Sequence, residues 1–182
     1  MRALTLFLLL LMACRPAPVL NPDKEKGKKP GKSEIERGLT VAPDAVVTTR
    51  EGQSFDLATL WADQKVVVVF YRGGWCPHCQ KQMAALQSRY KDFDAAHAVV
   101  VGISNESGAD ATALKAKLAL GYELYSDPQL AVINKWGVAD HGAGIARPAT
   151  FIVEKGGAIS WSKVGDNPAD QPSMEEIIAA LQ

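Results

Sequence analysis

Two cysteines three residues apart, Cys76 and Cys79 in Trp75-Cys76-Pro77-His78-Cys79, are the residues of this chain best suited to covalent chemistry. A thiolate attacks disulfides and peroxidic oxygen, and a second thiol one helical turn away can close a disulfide with it. The neighbouring residues predict where the pair stands. Val66-Val67-Val68-Val69-Phe70 is an apolar run rich in β-branched side chains, which predicts a strand over 66–71 buried on both faces. Gly73-Gly74 breaks it, and Pro77 suits the first turn of a helix, where its missing N–H is no loss. Met83, Leu86, Tyr90 and Phe93 recur at helical spacing, so a single helix is expected over 77–94. Cys76 then stands at a helix N-terminus, where free N–H groups and the helix dipole favour an anion. This predicts a lowered pKa and a nucleophilic role for Cys76, and a higher pKa and a resolving role for Cys79.

Other uses of these residues weigh less. Zinc is the alternative reading of Cys-x-x-Cys, but the chain holds three Cys and three His in all, with no second pair, so no metal and no cofactor are expected. Trp75 either shields the sulfur and offers a contact surface or simply packs. His78 either donates to the Cys76 thiolate or is an inert exposed imidazole. Arg72 reads as a solvated side chain, and His97 and His141 as surface or loop residues. Twenty basic and twenty acidic residues balance, with no basic patch, which argues against a nucleic-acid partner.

The rest of the chain divides into three parts. Residues 1–14 read as a signal segment, with Arg2 followed by an apolar run too short to span a bilayer. Leu11-Met12-Ala13-Cys14 resembles a bacterial lipobox, which makes Cys14 a lipid anchor and explains the odd cysteine. An ordinary signal peptide is the alternative. Residues 15–40, with four prolines and a Lys-rich stretch over 24–32, read as a flexible linker. Residues 41–182 suit one domain. Strands are expected over 41–50, 66–71, 98–104, 122–125, 150–153 and 158–164. Helices are expected over 54–61, 77–94, 110–120 and 128–136, and a last one to Leu181 capped by Ser173, with Asp127 as a further cap. Strands alternating with helices, closed by a hairpin, predict an α/β fold: a central mixed sheet with helices on both faces.

Trp75-Cys76-Pro77-His78-Cys79, followed downstream by Arg147-Pro148-Ala149-Thr150-Phe151, resembles the thioredoxin fold. Within it the chain is similar to the redoxin group: membrane-tethered thiol–disulfide oxidoreductases and the alkyl hydroperoxide reductase/thiol-specific antioxidant (AhpC/TSA) peroxiredoxin-like family. Phe70 through Cys76 is similar to the active-site entrance of that family, and Tyr125 through Val138 to its insert. The resemblance implies a cis peptide bond before Pro148, packed beside the cysteines, with backbone groups of Arg147 left free to pair with an extended substrate. It also implies protein thiols or disulfides, or a small thiol, as partners, with a redox partner in the bacterial cell envelope and the membrane reached through lipid. Peroxidases of the peroxiredoxin type carry Thr or Ser three residues before the reactive Cys, a Pro further upstream and a helper Arg. Gly73, Val69 and Pro148 stand at those places here. Thioredoxin's buried acid is replaced by Phe70, which leaves no evident proton acceptor for Cys79. The resemblance therefore implies a thiol–disulfide oxidoreductase first. A thiol-dependent peroxidase and a non-catalytic binding module are the alternatives.

Overall fold

The structure, a computed structural model, describes residues 38–182. The expected signal segment, Cys14 and nearly all of the expected linker lie outside the described residues. In chain order the elements are β1 (Val46–Thr48), β2 (Ser54–Asp56), α1 (Ala58–Trp61), β3 (Lys65–Phe70), α2 (Pro77–Ser88), α3 (Tyr90–Ala95), β4 (Ala98–Ser104), α4 (Gly108–Lys117), β5 (Glu123–Ser126), α5 (Ala131–Lys135), β6 (Ala139–Asp140), β7 (Ile145–Ala146), β8 (Ala149–Val153), β9 (Ile159–Val164) and α6 (Met174–Ala180). Seven strands form one mixed sheet in the order β2-β1-β5-β4-β3-β8-β9, and β6 pairs with β7 apart from it. The centre, β3-β4-β5, is parallel, and every other pairing is antiparallel.

β3 sits between β4 and β8, so its backbone is hydrogen-bonded on both edges and its side chains are buried on both faces. The period of two sends Val66, Val68 and Phe70 to one face, against Trp61, Val132, Ile133 and Trp136 from α1, α5 and the residue after α5. It sends Val67 and Val69 to the other, against Met83 and Leu86 of α2, Phe93 of α3, Leu114 of α4 and Ile177 of α6. The valine run reads as continuous hydrophobicity because both faces are covered, as expected. Each such side chain contributes about 1.5–3 kcal/mol on burial.

Several expected boundaries differ. The helix expected over 77–94 breaks at Arg89, whose φ of −107° and ψ of 16° separate α2 from α3. Phe93 nevertheless packs in the same cluster as Met83 and Leu86, so the apolar spacing runs through the break without registering it. The helix expected from Pro128 starts at Ala131, because Leu130 takes a left-handed φ of 56°. Asp127 still caps it: its carboxylate accepts the N–H groups of Ala131 at 2.9 Å and Ile133 at 2.8 Å. The stretch over 54–61 is not one helix but β2 followed by α1. Ser54, Phe55 and Asp56 pair with β1 across a turn in which Thr49 N–H donates to the Gln53 carbonyl at 2.8 Å. Ser173 does cap the last helix, in a reciprocal box with Glu176.

Candidate active site

β3 delivers the chain to Tyr71 and Arg72, the Gly73-Gly74 turn reverses it, and Cys76 is the N-cap of α2 with Pro77 in the first turn. The cap is made by sulfur: Cys76 Sγ accepts the Cys79 N–H at 3.4 Å. Both thiols are free, and both residues are closed off from solvent, Cys76 at 1 % exposed and Cys79 at 0 %. Burial, and next the hydrogen bond between the two sulfurs, push the Cys79 thiol above its ordinary pKa; the backbone N–H groups of Arg72 and Gly73 act in the opposite sense. Cys79, the deeper of the two thiols in the helix, is thus held toward its protonated form.

The turn that positions Cys76 is held from two sides. Gly74 donates its N–H to Glu106 Oε2 at 2.6 Å, and its carbonyl accepts from the Gln80 side chain. Lys117 in turn holds Gln80 at 3.0 Å. Gly73 has a φ of 155°, and a Cβ there would lie 2.8 Å from Glu106 Oε1 and collide with the Trp75 indole nitrogen. Glycine at this position thus lets the carboxylate and the indole close over the turn. Burial raises the Glu106 pKa, against the lowering effect of the Gly74 N–H. Trp75 is 58 % exposed, with the Arg72 guanidinium over its ring at 5.2 Å from the centroid. His78 is exposed on the outer side of α2.

Glu106 is a residue the sequence reading missed. One signal was available: it follows the carboxyl end of β4, the parallel neighbour of β3, and residues at that edge of a parallel sheet converge on the crevice where ligands bind. Tyr71 also lies near the pair. Its side chain packs in the cluster that holds both sulfurs, and its hydroxyl has no partner.

Arg147 and Pro148 do not behave as the resemblance implied. The described residues contain no cis peptide bond, so Pro148 is trans. The segment is stitched into its own fold on both sides: Arg147 N–H donates to the Val138 carbonyl at 2.7 Å, and the Pro148 carbonyl accepts the Gly165 N–H at 2.8 Å. No free Arg147 N–H remains for an extended substrate. The Arg147 guanidinium is also engaged, with the Gly165 carbonyl at 3.0 Å and Asp166 at 2.7 Å. The structure brings Trp75, Cys76, Pro77, His78 and Cys79 together and turns Arg147 away toward Asp166.

Beyond Gly165 the chain returns to the cysteines. Gln171 donates to the Pro168 carbonyl at 2.9 Å, and its Nε2 lies 3.9 Å from Cys79 Sγ. Gly165 is the close-approach point of this segment. A Cβ there would collide with the Asp170 carbonyl oxygen and come within 3.1 Å of Pro148 Cγ. Gly165→Ala is expected to cost about 1–3 kcal/mol by overpacking, read by urea denaturation. It is also expected to displace the segment that carries Gln171, so that Cys79 alkylates faster with iodoacetamide. An unchanged alkylation rate would show that this segment does not shield the sulfur.

The chain is similar to several known proteins. Residues 40–162 match the model of the AhpC/TSA family. "Peroxiredoxin Q, chloroplastic" of Oryza sativa subsp. japonica is 31% identical over 123 residues, 67% of this chain and 56% of that protein. "Peroxiredoxin bcp1" of Schizosaccharomyces pombe is 31% identical over 134 residues, 71% of this chain and 68% of that protein. The chain thus spans little more than half the length of the chloroplastic relative. Among solved structures, peroxidoxin BcpB from Mycobacterium tuberculosis superposes with a TM-score of 0.70 at 24% identity, covering 79% of this chain and 94% of that one. Enterococcus faecalis AhpC gives 0.70 at 20% identity, covering 79% and 90%. These likenesses establish the fold as thioredoxin-like α/β.

Proposed function

Since this chain belongs to the AhpC/TSA family, we propose that it is a two-cysteine thiol peroxidase whose disulfide is reset by thiol–disulfide exchange. The observation that carries the reading is the pair itself: a sulfur capping α2 and accepting a backbone N–H, with a second thiol in the same turn, both closed to solvent. A sulfur so enclosed is reached by a two-oxygen oxidant more readily than by a protein disulfide. The Cys76 thiolate attacks the near oxygen of a hydroperoxide. The O–O bond breaks, the alcohol or water leaves with a proton, and Cys76 becomes a sulfenic acid. Cys79 then attacks that sulfur, water leaves, and the Cys76–Cys79 disulfide forms. Two thiol equivalents from outside return it to the dithiol.

A second reading, thiol–disulfide oxidoreduction with protein substrates, has its own support. Gly73 and Pro148 stand where the peroxidase pattern has a hydroxyl and an arginine, Arg147 is engaged by Asp166, and Trp75 offers an exposed contact face. One sample distinguishes the two. Stopped-flow mixing with hydrogen peroxide is expected to oxidise Cys76 roughly a hundredfold or more faster than free cysteine, the size of a preorganised-donor effect. Insulin-disulfide reduction is expected to be slow. A peroxide rate no better than free thiol, together with fast insulin reduction, would reverse the order.

The resolving step carries a pH signature. Burial holds Cys79 as a thiol at neutral pH, and only its thiolate attacks. Below its raised pKa the thiolate fraction, and with it the rate of disulfide closure, is expected to climb about tenfold per pH unit. Rapid-quench alkylation of the sulfenic acid intermediate between pH 6 and pH 8, roughly, measures it. A flat profile would show that another group removes the Cys79 proton.

The proposal extends to location. The lipobox-like Leu11-Met12-Ala13-Cys14 supports an envelope lipoprotein anchored through Cys14, its domain held off the membrane by the Pro/Lys-rich stretch and reset by an envelope thiol. Cys14→Ser is expected to move the protein from the detergent phase to the aqueous phase in Triton X-114 partition. Equal partition of the two forms would remove the anchor.

A further inference from the structure

A groove of about 350 Å³ runs between α2 and residues 169–174 and is unused by the oxidation steps. Gln171 lines it, and the same side chain reaches to 3.9 Å from Cys79 Sγ, so a molecule in the groove is one side chain away from a redox sulfur. His78 and Lys81 line it from the exposed side of α2. No carboxylate lines it. The carboxylates nearby are already engaged: Asp170 is paired with Lys163 at 3.4 Å and accepts the Asp166 N–H at 3.0 Å. Glu175 pairs with Arg89 at 3.7 Å, and Glu176 accepts the Ser173 N–H at 2.7 Å. Lys81 makes no ion pair among the described residues. The groove therefore offers the unpaired ammonium of Lys81 over an apolar lining from Pro172 and Met174, with Gln171 standing between it and Cys79.

We infer that this groove binds the reductant, and that the reductant is a small peptide thiol carrying carboxylates. The inference rests on the peroxidase reading for the disulfide it resets. A cleft of this volume is of small-molecule size, in the range of roughly 300–1,000 Å³. A protein reductant would instead need on the order of 800 Å² of complementary surface. The chemistry balances. A bound thiolate attacks one sulfur of the Cys76–Cys79 bond and forms a mixed disulfide, while the other sulfur leaves and takes a proton. A second small thiolate attacks the mixed disulfide, frees the remaining protein thiol and departs as the small disulfide. Two electrons pass from two small thiols to the protein disulfide, and their two protons end on Cys76 and Cys79. The Gln171 amide, within reach of Cys79 Sγ, is the side-chain donor placed to meet the charge that appears on that sulfur.

S-Methylglutathione tests binding apart from redox chemistry, since it keeps both carboxylates and has no thiol. Titrated into the reduced full chain, it is expected to bind saturably, and Lys81→Glu to weaken it about tenfold or more, the size of a lost charge-assisted contact. The kinetic arm oxidises the chain with hydrogen peroxide, verifies the disulfide by mass, and compares glutathione with uncharged 2-mercaptoethanol as reductants. The glutathione-to-mercaptoethanol rate ratio is expected to fall about tenfold in Lys81→Glu. Gln171→Met is expected to slow both thiols. No saturable binding, or a ratio indifferent to Lys81, overturns the groove. A chain that peroxide does not oxidise overturns the peroxidase reading instead, and the binding arm still decides the groove.

Discussion

Cys76→Ser is expected to abolish peroxide consumption, by about four orders of magnitude or more, while the fold holds. The loss is large because the hydroxyl of serine has no comparable nucleophilicity at neutral pH, and among the described residues Cys76 Sγ is hydrogen-bonded to a backbone N–H rather than to a side-chain base that could activate one. Stability should not follow activity down. Cys76 caps α2 through Sγ, which accepts the Cys79 N–H at 3.4 Å. A serine oxygen is the better acceptor at an N-cap, so Cys76→Ser should melt at or slightly above the parent temperature. Activity lost together with stability would mean that the cap, not the nucleophile, had been removed. Cys79→Ser separates the two halves of the cycle. The first turnover proceeds, the sulfenic acid at Cys76 accumulates and is trapped by dimedone, and no intramolecular disulfide forms. If Cys79→Ser instead blocks the first oxidation, the roles assigned to the two sulfurs are reversed.

The placement of the cysteine pair was legible because its information is local. A valine run, two glycines, Cys-Pro-x-Cys and the first turns of an apolar helical stripe each act through neighbours in sequence, and each was found where expected, from β3 to the start of α2. The Ser173 cap and the turn between β8 and β9 were legible for the same reason. Periodicity failed where it is blind to backbone breaks. Tyr90 and Phe93 keep the stripe of α2 in phase after Arg89 has left the helix. Leu130 gave no sign of its left-handed φ, because that conformation is imposed by Asp127 reaching forward to Ala131 and Ile133. The parts of the site that come from afar were the least legible. Glu106 meets Gly74 from 32 positions away and Gln171 meets Cys79 from 92; the place of Glu106 just after β4 hints at the first meeting, and nothing local to Gln171 encodes the second. The trans Pro148 illustrates the opposite error. A resemblance carried a loop geometry onto a segment whose hydrogen bonds, Arg147 to Val138 and Pro148 to Gly165, close it against the chain's own backbone.

Trp136→Ala is expected to be the most damaging single change to stability, at about 3–5 kcal/mol by urea denaturation. That is a large part of the roughly 5–15 kcal/mol that holds a domain folded. The residue is 1 % exposed and ends α5, on the face of the sheet opposite the cysteines. Its ring centroid lies 5.0 Å from Phe151 of β8, 5.4 Å from Phe70 of β3 and 6.2 Å from Trp61 of α1. It therefore joins the strand that delivers Cys76 to its antiparallel neighbour and to both helices of that face. α5 has five residues, too few to be helical on its own account, so what keeps it is this burial and the Asp127 carboxylate. Trp136→Phe should cost much less, since it keeps most of the ring contacts and deletes an indole N–H that has no partner. In both variants the peroxide rate per folded molecule should be unchanged, because the Cys76 turn is held from the other face by Glu106 and Gln80. A drop in that rate at a concentration of urea where the variant is still folded would mean that β3 transmits packing strain from one face of the sheet to the sulfur on the other.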